Sequence, residues 1–160
     1  MINKVLIVLA LVAALASGCG KKTTYSTNEG DVTIDKKGSE VTIESKTKDG
    51  TAKVSASDTG VALPDKFPND VPIYKGAVVK MSSTQGKAML VHLSVNAAAA
   101  DLVKFYQDQL KEQGWEIQST MNVGEGSMLS AKKGSRQCTA LVMKQDKDTM
   151  VQLTVSQEGS

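Results

Sequence analysis

The chain predicts an α+β fold: a short N-terminal β-meander, then a ββαββββ domain in which one helix packs on an antiparallel sheet. Three observations carry this prediction. Asp31-Val32-Thr33-Ile34-Asp35 returns nine residues later as Glu40-Val41-Thr42-Ile43-Glu44, and both copies alternate strictly, as half-buried strands do. A single segment, Ala97 to Gln113, changes to helical spacing, with Ala98, Leu102, Phe105, Tyr106 and Leu110 forming a stripe. Between the two regions Pro64, Pro68 and Pro72 recur at a spacing of four, which neither a helix nor a central strand tolerates.

The repeat fills a segment over residues 30–62. Lys37-Gly38 and Asp49-Gly50 mark tight turns, so three short antiparallel strands are expected, with Val32, Ile34, Val41, Ile43 and Val54 on one face. So thin a sheet cannot stand alone, and its apolar face needs a partner surface. The proline segment reads as a stiff connector anchored by Leu63, Phe67, Val71 and Tyr74, and it opens a helix-on-sheet domain over 63–160. Strands are expected over 77–83 and 87–95. The helix follows, with Asn96 as N-cap and Gly114 at the left-handed position beyond its end. Further strands are expected over 115–122, 127–132, 137–144 and 150–157. Laying the helix across them buries its stripe against Val91, Leu93, Val95, Val151, Leu153 and Val155.

The first residues are of another kind. Lys4 precedes an apolar run from Val5 to Leu15, and Ala16, Ser17 and Gly18 lead into Cys19. This arrangement resembles a bacterial lipoprotein signal peptide, with Ala16 standing where that family most often has Leu. A membrane-spanning helix needs about 20 apolar residues, more than this run supplies before Lys21 and Lys22. The resemblance makes 1–18 a signal peptide and Cys19 the lipidation site, carrying diacylglycerol and a further acyl chain such as palmitate, enough for stable anchoring. Residues 19–29, polar apart from Tyr25, then read as a flexible tether. Gly20 stands where an Asp resembles an inner-membrane retention signal, so the expected location is the cell envelope, on the outer membrane facing the periplasm.

Composition narrows the function. With 19 basic and 17 acidic residues interspersed, the chain lacks the basic, aromatic-rich patch of a nucleic-acid binder. Lipidation of Cys19 leaves Cys138 alone, so no intramolecular disulfide forms and the core must hold the fold by itself. Aromatics are scarce, and the core is expected from Val, Leu, Ile, Ala and adaptable methionines.

Residues with chemistry of their own are few. His92, the one histidine, sits at the opposite strand parity to Val91 and Leu93, which directs it to solvent. Cys138 alternates with Ala140 and Val142 as a buried residue would, although Arg136 beside it would lower its pKa. Asp65 and Asp70 lack the acid spacing of a calcium loop and read as turn formers, and Gly124 and Gly126 flank a hairpin. Met81, Met89, Met121, Met128, Met143 and Met150 are scattered over strands, which favours core packing over a copper(I) site. No catalytic residue, metal or cofactor is expected.

Leu63-Pro64, Phe67-Pro68 and Val71-Pro72 with Tyr74, then Phe105-Tyr106 and Gly114-Trp115, resemble a group of bacterial envelope lipoproteins. The resemblance spans the leader and residues 63–160 and carries no activity with it. A looser similarity of architecture is to small helix-on-sheet domains of outer-membrane assembly lipoproteins. The expected function is therefore that of a non-enzymatic, lipid-anchored protein-interaction or assembly module whose partners are the membrane and an envelope protein, its oligomeric state open. The alternative is an apolar small-molecule or lipid-binding lipoprotein, with a pocket between helix and sheet lined by Phe105, Tyr106 and Trp115.

Overall fold

A computed structural model describes residues 22–28, 30–48 and 50–157; the leader and Cys19 lie outside them. Four strands come first: β1 Lys22–Thr27, β2 Gly30–Lys37, β3 Glu40–Thr47 and β4 Gly50–Ala56. An irregular strap over 57–77 leads to β5 Val78–Gln85 and β6 Ala88–Val95. Then come the helix α1 Ala99–Glu112 and the strands β7 Glu116–Val123, β8 Gly126–Lys133, β9 Arg136–Gln145 and β10 Asp148–Gln157.

All ten strands form one antiparallel sheet in the order β1-β2-β3-β4-β5-β6-β10-β9-β8-β7. This overturns the expected fold of a short meander followed by a separate helix-on-sheet domain. The prolines divert the chain out of the sheet without ending it: β5 returns to pair with β4 from Ala52↔Gln85 to Ala56↔Met81. Over the described residues the protein is a mostly β structure with a single short helix at one end. Lys22–Thr27, read as tether, is instead the edge strand β1, paired with β2 from Lys22↔Asp35 to Thr27↔Gly30. Its threonines and Tyr25 suit a pleated surface even without an apolar alternation to announce it.

The helix connects β6 near the middle of the sheet to β7 at its edge, and β7 to β10 return beneath it. It begins two residues later than Asn96 predicts, because Ala98 is the N-cap and no side chain caps it. Its end is built as expected from Gly114, with φ 79°. The Gly114 amide donates to Lys111 O and the Trp115 amide to Leu110 O, at 2.9 Å each. This pairing satisfies the last carbonyls and turns Trp115 into the core.

Leu102, Tyr106 and Leu110 of α1 are fully buried over Val91, Leu93, Val151, Leu153, Cys138, Ala140 and Leu129. This is the helix face of the sheet. Two β-bulges decide what reaches the other, open face. Between Val79 and Met81 and between Ile117 and Ser119 the register shifts, so Val79 and Ile117 pack on the core while Met81, Met121 and Val123 turn away from it. Among the described residues no methionine belongs to the buried core, which corrects their expected role. Also among the described residues, no helix is long and apolar enough to cross a membrane.

Candidate functional site

The strap, α1 and the β8–β9 hairpin meet around Asp70. Its carboxylate accepts two bonds from Arg136, Nη1–Oδ1 at 2.8 Å and Nη2–Oδ2 at 2.6 Å, and a third from Lys133 Nζ at 2.7 Å. Lys133 Nζ also donates to Gln113 O, at the end of α1. The Trp115 indole donates to Asp70 O at 2.8 Å, and the Arg136 guanidinium lies 4.9 Å from the centroid of the Trp115 ring. Asp70, read from sequence as a turn former, is thus a latch that pins the strap over the helix–sheet interior. The Arg136 hydrogen bonds, joined by Lys133, hold its carboxyl down at about 2 against an ordinary 3.8, overcoming the opposing effect of burial.

Behind this latch Phe67, Val71, Ile73 and Tyr74 of the strap pack on the core. Tyr74 meets Phe105 edge-on at 5.0 Å, and Phe105 meets Tyr106 in the same way at 5.1 Å. Tyr106 has no exposed surface, and its hydroxyl is the one buried side-chain polar atom among the described residues with no hydrogen-bond partner. The Tyr74 backbone lies near it without reaching hydrogen-bond geometry. Burial pushes the phenol well above its ordinary range.

Of the three residues expected to line a pocket, Tyr106 sits at the centre of this interior and Phe105 at its margin, half-buried. Trp115 is buried at the far end of α1, engaged by Asp70 and Arg136. The interior they share with Leu102 and Leu110 is closed in this structure. Cys138 lies on its floor. Burial, expected from its strand alternation, pushes its thiol up to about 12, and the Asp70 charge adds to this; Arg136 acts in the expected downward direction but offsets the rise only in part. His92 is on the open face, its Nε2 2.9 Å from Gln152 Oε1.

A concavity of about 690 Å³ lies instead on the helix face of the N-terminal strands. Thr33, Thr42, Ser55, Ser82 and Thr84 line it with Asp35, Glu44 and Lys53, and Leu63 and Pro64 of the strap form one wall. Thr42 and Ser55 hydroxyls satisfy each other across β3 and β4 at 2.7 Å. Among the described residues no His, Cys, Asp and Glu cluster is arranged to hold a metal ion.

A family model described as START domain-like matches residues 77–159, just over half of the chain and the part that holds α1 and the core. No curated protein and no solved structure matches it. The chain belongs to the START domain-like family.

Proposed function

We propose that this START domain-like chain binds an apolar small molecule or lipid beneath α1, as a non-enzymatic domain anchored at the bacterial cell envelope through a lipid on Cys19. Family membership supports a ligand of this kind over the protein-interaction module that was the first expectation. The observation that carries the reading is the Tyr106 hydroxyl, buried without a partner in an otherwise apolar interior. Leaving such a group unpaired costs about 1–3 kcal/mol, and a ligand with an apolar body and one acceptor would recover it. The Asp70 latch makes the strap a gate: with Tyr74 lifted, the Phe105–Tyr106 side of the interior opens.

The anchor would sit close to the sheet. Cys19 precedes β1 by three residues, a reach of at most about 10 Å, so the domain rides at the bilayer surface where lipid-like ligands are found.

Titration of Trp115 emission with long-chain fatty acids and lysophospholipids tests the reading. A saturable shift is expected. Tyr106→Phe should bind a fatty-acid carboxylate about tenfold more weakly, while the free protein is unchanged or more stable by about 1 kcal/mol. Absence of any shift, or equal affinity in Tyr106→Phe, would refute it.

A further inference from the structure

We propose that the open face of the sheet is an interface for a second copy of this chain, the two sheets packing face to face around a two-fold axis that runs along the central strands. This does not depend on the ligand proposed above, which lies on the opposite face.

The strand registers place the residues of the open face in rows. One row runs Val41, Ala56, Met81, His92, Gln152, Leu141, Met128, Met121 across β3 to β7. The next carries Ile43, Val54, Ser83 and Leu90, and ends in Ile34, which is already buried. A third runs Val78, Ser94, Met150, Met143, Gly126 and Val123. Of the six large apolar residues left exposed among the described residues, five lie here: Tyr25, Val54, Val78, Met121 and Val123. No described helix or strand covers them. Charges keep to the margins, at Lys36, Glu116, Lys132 and Asp148. Bilayer attachment would call for a basic rim, whereas methionine-rich, charge-depleted surfaces with scattered hydroxyls are those of protein interfaces.

Two features select a second copy. Ten strands spaced about 4.8 Å apart and about 25 Å long give a face of about 1,100 Å², above the roughly 800 Å² per partner of a stable interface. The halves of the face are also unlike. Stiff β-branched Val32, Val41, Ile43 and Val54, beside the already buried Ile34, occupy β2 to β4, and flexible Met121, Met128, Met143 and Met150 occupy β7 to β10. A two-fold axis along the strands lays each half on the other half of its copy, so adaptable thioethers fill around rigid branched side chains.

Met81, paired with His92 at the middle of the sheet, lies beside the axis and faces its own counterpart. The full chain carrying Met81→Cys, treated in cells with a bis-maleimide spanning on the order of 10 Å, the separation of packed sheets, should yield a species of twice the chain mass. Thr84→Cys, on the helix face, and the native chain should not. Adding Met121→Lys and Val123→Lys, at positions exposed enough to leave folding intact, should abolish the product while Trp115 emission is unchanged. The proposal is overturned by cross-linking of Met81→Cys no stronger than that of Thr84→Cys. It is equally overturned by linkage to a different protein, or by a monomer linked internally to Cys19, which would put the leader on this face.

Discussion

Replacing Asp70 by Asn tests the latch most directly. The carboxylate accepts three charge-assisted bonds, two of them from one guanidinium, and its side chain is only 21% exposed, so solvent screens it little. A pKa held at about 2 in place of 3.8 is a difference of nearly two pH units at 1.36 kcal/mol each, or about 2 kcal/mol of stability. The sign follows from the depression. Above pH 4 the folded and unfolded carboxyls are both ionised and the whole contribution is present. As pH falls from about 4 through about 2, the unfolded state takes up the proton first and the contribution is lost. Urea unfolding followed by Trp115 emission should therefore show Asp70→Asn less stable by about 2 kcal/mol at pH 7, with a melting temperature lower by about 4–8 °C. The gap should close toward pH 2. Equal stability at pH 7, or a gap that does not change with pH, would refute the argument, because either result means the three bonds do not stabilise the folded carboxylate.

Two further predictions concern the sheet. Cys138 has no exposed surface and its thiol is raised to about 12, so the folded protein should resist maleimide at pH 8 and react stoichiometrically only in denaturant. Rapid labelling of the native protein would show that the interior opens readily. Gly126→Ala would place a Cβ 2.6 Å from Val142 O and 2.8 Å from Met143 Cγ. The backbone clash should cost about 1–3 kcal/mol in thermal unfolding, and an unchanged melting temperature would show that β8 can shift away from β9.

The sequence was legible where structure is local. Alternation marks β2 and β3, the 102–106–110 stripe marks the buried side of α1, and Gly114 marks its end. What it concealed is non-local. A proline segment reads as a boundary, because nothing in residues 57–77 says that β5 will return to hydrogen-bond with β4. Each bulge inverts the side-chain parity of its strand. Ile117, Met121 and Val123 share one parity in sequence, yet the shift before Ser119 leaves Ile117 inside and the other two outside. Met128, Met143 and Met150 did carry a signal: each adjoins a core residue, Leu129, Val142 or Val151, and so takes the opposite parity. Asp70 carried none, since its partners Lys133 and Arg136 are more than sixty residues away.

The family match begins at residue 77 and takes in β5 to β10 and α1, the elements that contain nearly all of the buried core. The strands before it need another account. Val32, Val41, Ile43 and Val54 stay outside the core, and the polar side chains on the other face of β2 to β4 line an open groove. A four-stranded addition without a covering layer stabilises little by itself. Its effect is on size: six strands alone give an open face of about 600 Å², short of a stable interface, and ten bring it above that threshold. The extension also supplies the β-branched half that the methionine half lacks. On this argument β1 to β4 are what turn a START domain-like unit into one able to pair with its copy, and β1 sets that pair within a few residues of Cys19.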